Sequence, residues 1–426
     1  MPSEDPSSKR NTLVRTDAPS YRRPYSQPPK RLENASQFQQ KLAFKSRPST
    51  RRQPFLWGAF MSDATSLAAV MTAPKTTELR EIPIPDLPSD AGLLRVLANG
   101  VCGSDVGKYA NQKFAPSILG HEIVGVVEKL GDAARARWGV SEGDCVALEE
   151  YLACGHCDYC RTGEYRSCFE TDAQRSGTIR YGSTSLDVAP ALYGGQSRYL
   201  YLHPRTIFHR VPKGVAPRIA AMALPIGNGF QWTYLDGGAG PGKTVVIIGP
   251  GQQGFGCVVA AAASGADNVI IAGLSRHKER FETAKKLGAT HAVALDDGDP
   301  REQISEITDG RMADIVLEVS GGGPEIINGG LAFVKKRGTM LCTAYKKGPV
   351  PLNIDRVIQY QVNLRGTRGH SFHAVELALR AMKAGKIPFD LISTHVFGLK
   401  DTDHALKLVG GELKERAIHV TIEPWN

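Results

Sequence analysis

Long hydrophobic runs are absent from this sequence. No apolar stretch approaches the roughly 20 residues that a membrane-spanning helix requires, and no apolar segment typical of a secretory signal opens the chain. Cysteine is also scarce, with 8 in 426 residues, which suits a reducing compartment better than a disulfide scaffold. We therefore expect a cytoplasmic protein that has no membrane partner.

The excess of positive charge is not spread along the chain. Residues 1–60 hold 12 Lys or Arg and 4 Asp or Glu, whereas residues 61–426 hold 40 and 39, so nearly all of the net charge of +9 lies in the first segment. This segment is rich in Ser, Pro, Arg and Gln and poor in aliphatic residues, which predicts a disordered basic arm. The nearly neutral remainder gives no reason to expect a nucleic-acid partner.

Three interpretations of the arm stay open. It could be a basic tail for an anionic surface, an organelle presequence, or a non-functional upstream extension with Met61 as the start of the folded chain. Glu4 and Asp5 argue against a presequence, because such segments are usually poor in acidic residues.

Four of the eight cysteines lie within fifteen positions, with the spacing C-x2-C-x2-C-x7-C; they are Cys154, Cys157, Cys160 and Cys168. Spacers this short allow one loop to wrap its thiolates around a single ion, and four sulfur ligands are typical of a closed, structural zinc site. Buried free thiols and a disulfide pair are the alternatives. The polar neighbours argue against buried thiols, and closely spaced thiols in a soluble enzyme are more typical of metal or redox sites than of disulfides.

The pattern of the sequence changes between its two halves. From about Ser66 to residue 226, strand-like segments are separated by turns, among them Gly-Asp turns. Further on, apolar strands alternate with helical segments, which predicts a parallel, doubly wound sheet and hence an α/β fold class. We expect a β-rich domain over residues 61–226, a nucleotide-binding domain over 227–366, and a C-terminal segment over 367–426 that returns to the first domain.

A glycine-rich loop, Gly249-Pro-Gly251-Gln-Gln-Gly254, closes a buried strand and opens a helix. In this context the glycines permit a tight turn and allow a pyrophosphate to approach the backbone, while the helix N-terminus supplies unpaired N–H groups. The loop therefore predicts dinucleotide binding. The alternative is a cluster of turn glycines without a ligand.

No carboxylate follows the next strand. Sites that prefer NAD place Asp or Glu about 20 residues beyond the loop, where it binds the ribose 2′-hydroxyl. Here the stretch from Ala272 to Lys278 contains Ser275 and Arg276 but no acidic residue. Both side chains would favour a 2′-phosphate, so the sequence favours NADP over NAD. The alternative is that Arg276 merely begins a solvated helix face.

A second candidate cluster lies in the β-rich half. Cys102, Ser104 and Asp105 are followed about 20 residues later by His121 and Glu122. A lone cysteine or histidine is usually a core residue. Together, these residues place a thiolate, an imidazole and carboxylates in one domain beside a nucleotide-binding fold.

In these motifs the sequence resembles the zinc-dependent medium-chain alcohol dehydrogenases, on the threonine and sorbitol dehydrogenase side. The resemblance spans roughly residues 66–424. It covers Gly120-His121-Glu122, the four-cysteine segment, the glycine loop and the Gly194-Gly195 pair that precedes a strand. It implies a GroES-like, β-rich catalytic domain together with a Rossmann domain, with the active site in the cleft between them.

The resemblance also implies a role for each residue of the second cluster. Cys102 and His121 match ligands of a catalytic zinc, and Glu122 matches a carboxylate that moves onto or near the metal. Ser104 matches the hydroxyl that passes on the proton of the alcohol. Asp105 matches the carboxylate that orients the ligand histidine. Two zinc ions, one structural and one catalytic, are therefore expected.

The sequence departs from the family pattern at two positions. The third protein ligand, Cys or Glu, is expected about 24 residues before the loop, where this chain has Leu224 or Pro225. Glu122 could then bind directly, zinc could be held more weakly, or a ligand could come from elsewhere. The relay histidine is replaced by Gly107, so a water chain or Lys108 would have to carry the proton.

The expected function is a zinc-dependent oxidoreductase that transfers hydride between a secondary alcohol, such as a polyol or an amino alcohol, and NAD(P). A hypothesis of another class is a nucleotide-binding family member that has lost its catalytic zinc and acts as a structural or regulatory protein. The missing third ligand supports this second hypothesis, whereas the retained cluster argues against it. A homodimer or a homotetramer is expected.

Overall fold

The computed structural model describes residues 64–171, 178–346 and 348–426. The predicted basic arm over residues 1–60, and Met61 as the start of the folded chain, lie outside the described residues and stay predictions. Among the described residues, none of the helices is both long and apolar enough to cross a membrane.

The strands are β1 (Thr65–Ala73), β2 (Thr76–Pro83), β3 (Gly92–Gly100), β4 (Ser117–Ile118), β5 (Glu122–Leu130), β6 (Cys145–Leu148), β7 (Tyr199–Leu202), β8 (Phe208–Arg210), β9 (Thr244–Ile248), β10 (Asn268–Gly273), β11 (His291–Ala294), β12 (Ala313–Glu318), β13 (Val334–Cys342), β14 (Asn363–Gly366), β15 (Ser393–Phe397) and β16 (His419–Ile422).

The α-helices are α1 (Gly103–Tyr109), α2 (Asp132–Trp138), α3 (Asp158–Arg161), α4 (Pro217–Ala220), α5 (Ala223–Gly229), α6 (Gln252–Ala263), α7 (Lys278–Lys286), α8 (Pro300–Ile307), α9 (Glu325–Phe333), α10 (Ile354–Tyr360), α11 (Phe372–Ala384) and α12 (Thr402–Val409). A π-helical segment, Phe230–Asp236, continues α5. Short 3-10 helices span Gln112–Phe114, Tyr165–Ser167, Ser275–His277, Phe389–Leu391 and Leu399–Asp401.

Six parallel strands form one sheet in the order β11-β10-β9-β12-β13-β14. Counted along the chain from β9, this is the order 3-2-1-4-5-6 of a doubly wound dinucleotide-binding sheet. In β9, Val245 and Ile247 pack into the core on one face, and Val246 and Ile248 pack into the core on the other. Because both faces are buried, the strand is a continuous apolar run. The predicted Rossmann sheet is confirmed.

The first half of the chain, together with β15 and β16 from its end, forms two sheets that are antiparallel except where β15 pairs with β16. The larger one has the order β15-β16-β3-β5-β6-β8, with β7 paired to β3, and a smaller sheet has the order β2-β1-β4. The long pairing of β3 with β5 buries a core that includes Leu94, Val96 and Ile123. Strand β16, from the end of the chain, pairs with β3. This β-rich architecture confirms the predicted GroES-like sheet.

Helices α5 and α6 approach each other closely where Gly229 meets Gly256. A Cβ atom added at Gly229 would overlap the backbone of Gly256, so glycine is required at this crossing. The contact fixes the segment that follows α4 against the first helix of the parallel sheet.

A buried polar cluster joins the antiparallel sheet to the helices. The Glu149 carboxylate lies 3.2 Å from Nε2 of His209 and 3.0 Å from Nε2 of His370. His370 also lies 2.9 Å from Oδ1 of Asn228. Burial by itself would raise the pKa of Glu149, but the charge of His370 and the hydrogen bonds from both histidines lower it, so the carboxylate is ionised. The cluster therefore ties β6 and β8 to α5 and to the segment before α11.

Candidate metal centres and cofactor crevice

The first candidate centre forms where β3 ends and α1 begins. Cys102 occupies the position immediately before the helix, and Asp105 lies in its first turn. The Asp105 carboxylate accepts a hydrogen bond from the backbone N–H of Cys102, at 3.1 Å. An acidic side chain that reaches back to the start of its helix is a stabilising cap, so the local sequence itself fixes the backbone that carries the thiol.

The same carboxylate orients His121. Nδ1 of His121 lies 2.9 Å from Oδ1 of Asp105, and both side chains are buried. Because Nδ1 donates to a carboxylate, Nε2 is the nitrogen at which a metal ion would bind in place of a proton. Burial by itself would raise the pKa of Asp105, but the charge and the hydrogen bond of His121 lower it, so Asp105 is ionised.

Three metal donors converge beside this pair. One ligand atom each from Cys102, His121 and Glu122 lies within 4.8 Å of the others. Sulfur, imidazole nitrogen and carboxylate oxygen are donors that zinc accepts, and three protein ligands are typical of a catalytic site with one open position. The sequence-predicted residues are thus brought together in an arrangement that fits zinc.

Helix α5 offers no third ligand of the usual kind. Leu224 and Pro225, at the position where a Cys or Glu is expected, are both buried, and the helix contains no Cys, His, Asp or Glu. Among the described residues, the carboxylate grouped with Cys102 and His121 is that of Glu122.

His419 is a neighbour of the centre that sequence reasoning missed. Its Nε2 lies 3.3 Å from Oε2 of Glu122, and both side chains are buried. Gly100 makes room for this pair, because a Cβ atom there would lie 2.7 Å from Nε2 of His419 and would overlap the Glu122 carboxylate. The two residues are 297 positions apart in the chain, so only the pairing of β16 with β3 brings them together.

The residues considered for proton transfer differ in their surroundings. Ser104 is exposed on the first turn of α1, and a Cβ atom added at Gly107 would meet no atom within 4 Å. Nζ of Lys108 donates to the carbonyl of Gly182 at 3.2 Å and lies 3.6 Å from Oδ1 of Asp105. The Lys108 ammonium group is therefore held in place by contacts with Gly182 and with the buried Asp105 carboxylate.

The four-cysteine segment forms the second candidate centre. The thiols of Cys154, Cys157, Cys160 and Cys168 all lie within 4.8 Å of one another, and none forms a disulfide. Sγ of Cys160 lies 3.8 Å from that of Cys154 and 3.4 Å from that of Cys157. A tetrahedron with Zn–S bonds of about 2.3 Å has edges of about 3.8 Å. The spacing of the thiols thus fits a four-sulfur zinc site.

Backbone N–H groups favour the thiolate of Cys168, whereas burial raises the pKa of Cys160. Burial by itself would raise the pKa of Cys168, but hydrogen bonds from the backbone N–H groups of Cys154 and Glu170 lower it to about 6. Because a thiolate, not a thiol, is the metal ligand, the lowered pKa of Cys168 favours metal binding at neutral pH.

A candidate cofactor crevice lies at the carboxyl ends of β9, β10 and β12. It has a volume of about 410 Å³ and is lined in part by Gly249, Gly273, Arg276 and Leu295. Gly249 has a φ of +122°, which only glycine adopts readily. A Cβ atom added at Gly251 would meet nothing within 4 Å, whereas one added at Gly254 would overlap the carbonyl of Gly249. The loop is thus tightly turned and open to a ligand at Gly251.

Ser275 and Arg276, which are predicted to bind the 2′-phosphate, are both exposed after the end of β10. Ser275 already forms hydrogen bonds within the protein. Asp296 accepts a hydrogen bond from the backbone N–H of Ser275 at 2.6 Å and one from its hydroxyl at 3.0 Å. Arg276 lines the crevice. Sequence reasoning missed Asp296, because it searched only the strand that follows the glycine loop.

A doubly wound dinucleotide-binding sheet, joined to a GroES-like sheet that carries two groups of zinc donors, defines the class of zinc-type oxidoreductases. The "Alcohol dehydrogenase GroES-like domain" model matches residues 88–213, and the "Zinc-binding dehydrogenase" model matches residues 254–384.

Individual relatives agree with these family models. The chain is 32% identical to a probable alcohol dehydrogenase of Mycobacterium tuberculosis over 83% of this chain and 96% of that protein. It is 30% identical to L-threonine 3-dehydrogenase of Pyrococcus horikoshii over 78% and 91%. A solved alcohol dehydrogenase of Thermotoga maritima is similar with a TM-score of 0.73 and 25% identity, over 85% of this chain and all of that one. The chain belongs to the zinc-dependent medium-chain alcohol dehydrogenase family.

Family membership makes the chain an oxidoreductase that acts on alcohols with zinc and a nicotinamide cofactor. The comparisons give no support to the hypothesis of a structural or regulatory protein without catalytic zinc.

We expect Cys157→Ser to yield protein that aggregates or is readily cleaved by protease. Structural zinc contributes on the order of 10–16 kcal/mol of apparent binding energy, which exceeds the stability of a typical domain. Zinc content, limited proteolysis and thermal unfolding measure the effect. Cys145→Ser, outside the segment, is the control and should be nearly neutral. Soluble Cys157→Ser protein with a normal unfolding transition would contradict a structural role.

We expect Glu122→Gln to lose zinc from the first centre while the four-cysteine site stays filled. An amide is a poorer zinc ligand than a carboxylate, and α5 supplies no substitute. Zinc per chain and zinc affinity are the measurements, and Leu224→Glu should raise the affinity. Glu128→Gln, exposed on the same strand, is the matched control. Unchanged affinity in Glu122→Gln would show that Glu122 is not a ligand.

Proposed function

We propose that the chain interconverts a secondary alcohol and a ketone, holds one catalytic and one structural zinc ion, and uses NADP in preference to NAD. The observation that carries this proposal is the convergence of Cys102, His121 and Glu122 beside the buried Asp105 carboxylate. A protein that used the fold only as a scaffold would have no need for an ionised carboxylate behind a buried histidine.

Zinc held by these donors would polarise the substrate oxygen and lower the pKa of the substrate hydroxyl. The chain's own residues do the rest. Asp105 holds His121 with Nε2 free and holds the backbone of Cys102. Ser104, two residues after Cys102, is exposed, and its hydroxyl takes up the proton of the alcohol and releases it to solvent. Glu122 serves as the third ligand, held from behind by His419.

The nicotinamide cofactor supplies the hydride chemistry, and the protein binds and orients it. Gly249, Gly251 and Gly254 form the turn that receives the pyrophosphate at the N-terminus of α6. Ser275 and Arg276 bind the 2′-phosphate. The supporting observations are that Arg276 lines the crevice and that β10 ends without an acidic residue.

Further proposals rest on the family resemblance. The four cysteines Cys154, Cys157, Cys160 and Cys168 hold the structural zinc. The catalytic domain comprises residues 61–226 together with 367–426, and the nucleotide-binding domain comprises residues 227–366. The protein is cytoplasmic and forms a homodimer or a homotetramer, and its substrate is a small alcohol such as a polyol or an amino alcohol.

The function is tested with zinc-loaded, full-length protein, a panel of secondary and primary alcohols, polyols and amino alcohols, and either dinucleotide. We expect turnover of secondary alcohols, measured by the absorbance of the reduced cofactor. Ser104→Ala should lower kcat on the order of 100-fold while zinc is retained, and Ser104→Thr, which keeps the hydroxyl, should recover much of it. No turnover of any alcohol by protein that binds both zinc ions and a dinucleotide would overturn the proposal.

We expect Arg276→Ala to raise the KM for NADP much more than the KM for NAD. The reason is that a guanidinium forms strong charge-assisted bonds to a phosphate and gains little from a ribose hydroxyl. Steady-state kinetics with both cofactors measure the difference. Lys278→Ala, which removes a nearby exposed cation, is the control. An equal effect on the KM values for the two cofactors, or a clear preference of the wild-type protein for NAD, would contradict the proposal that Arg276 binds the 2′-phosphate.

A further inference from the structure

The ends of β10 and β11 lie side by side in the parallel sheet. The register pairs Gly273 with Ala294, and the backbone N–H of Leu295 donates to the carbonyl of Gly273 at 2.7 Å. Two residues beyond each paired position the chain reaches Ser275 on one strand and Asp296 on the other. The register therefore places a carboxylate directly beside the residue that is proposed to bind a 2′-phosphate.

Asp296 occupies both hydrogen-bond donors of Ser275. The backbone N–H lies 2.6 Å from Oδ1 and the hydroxyl lies 3.0 Å from Oδ2. The backbone hydrogen bond from Ser275 is the chief reason that the pKa of Asp296 lies below its ordinary value, with a smaller contribution from the charge of Arg276. At neutral pH the group is thus an anion, and it binds the donors that an incoming phosphate would need.

Gly273, the last residue of β10, could not carry an acidic side chain. A Cβ atom added at Gly273 would lie 2.7 Å from Cδ of Pro250 and 3.2 Å from Cε1 of Phe281. An Asp or Glu at that point would collide with the proline of the glycine loop. A carboxylate can reach this edge of the crevice from the neighbouring strand, and Asp296 does so.

We infer that Asp296 is a specificity-determining residue for the cofactor: it opposes the 2′-phosphate of NADP and retains affinity for NAD. The inference rests on the proposed function, because it concerns the same cofactor crevice. A phosphate at Ser275 would meet the Asp296 carboxylate as a like charge and would have to displace it from two hydrogen bonds. A ribose 2′-hydroxyl, by contrast, can donate to a carboxylate, as it does in NAD sites.

Arg276 and Asp296 thus have opposite effects on the preference between NADP and NAD. The guanidinium favours the phosphate, and the carboxylate disfavours it. A hydrogen bond to a charged group contributes more free energy than one to a neutral group, and the difference corresponds to a roughly tenfold change in affinity. The wild-type preference for NADP is therefore expected to be moderate, and removal of the Asp296 charge should enlarge it.

The test uses the full-length, zinc-loaded protein and the variant Asp296→Asn. Asparagine has the same shape and can still accept from Ser275, so the loop should keep its structure, which thermal unfolding checks. Asp297→Asn is the matched control, because it removes the adjacent exposed negative charge and leaves the contact with Ser275 in place. The probes are 2′,5′-ADP, which carries the 2′-phosphate, and 5′-ADP, which lacks it. Their dissociation constants are measured by calorimetry, alongside kcat/KM for NADP and NAD.

We expect Asp296→Asn to bind 2′,5′-ADP on the order of tenfold more tightly while 5′-ADP binding stays the same or weakens. The ratio of kcat/KM for NADP over NAD should rise by a similar factor, and Asp297→Asn should change neither quantity. Equal effects on the two probes, no effect on either, or the same effect in Asp297→Asn would overturn the inference and leave the proposed function standing. Failure of the wild-type protein to bind any of these nucleotides would overturn both.

Discussion

The carboxylate of Asp105 is the contact on which the candidate catalytic centre depends. It accepts hydrogen bonds from the backbone N–H of Cys102 and from Nδ1 of His121, so one buried group fixes a thiol and an imidazole that are far apart in sequence. Such a group is favourable only when all its hydrogen bonds are made. The start of α1, the tautomer of His121 and the position of the open metal site are therefore set together.

A further contact of the centre comes from the far end of the chain. Strand β16 pairs with β3 and brings His419 against Glu122, in a space that Gly100 leaves open. Buried polar contacts of this kind also join Glu149 to His209 and His370. The return of the C-terminal segment to the first sheet thus supports the centre, and it does so where α5 contributes only apolar side chains. In the proposed centre, Glu122 would thus serve as a ligand where the described residues of α5 offer none.

Much of the fold could be predicted because its signals are local. The glycine loop requires a positive φ at Gly249 and close packing at Gly254, and both requirements show in the sequence as glycines. The four cysteines are close enough in the chain to surround one ion, whatever the rest of the fold does. Strand β9 is a continuous apolar run because both its faces are buried. By contrast, β11 is short and only partly buried, so its pattern is weak, and the carboxylate that follows it was not found.

The sequence by itself determined the parallel sheet and the β-rich domain, the presence of two groups of zinc donors and the dinucleotide loop, because each depends on residues that are adjacent or closely spaced. The tertiary structure alone decided which distant side chains complete those sites. His419 reaches Glu122 through the pairing of β16 with β3, and Asp296 reaches Ser275 through the register of β10 and β11. Strand register is set by the packing of whole sheet faces, and no short stretch of sequence contains that information.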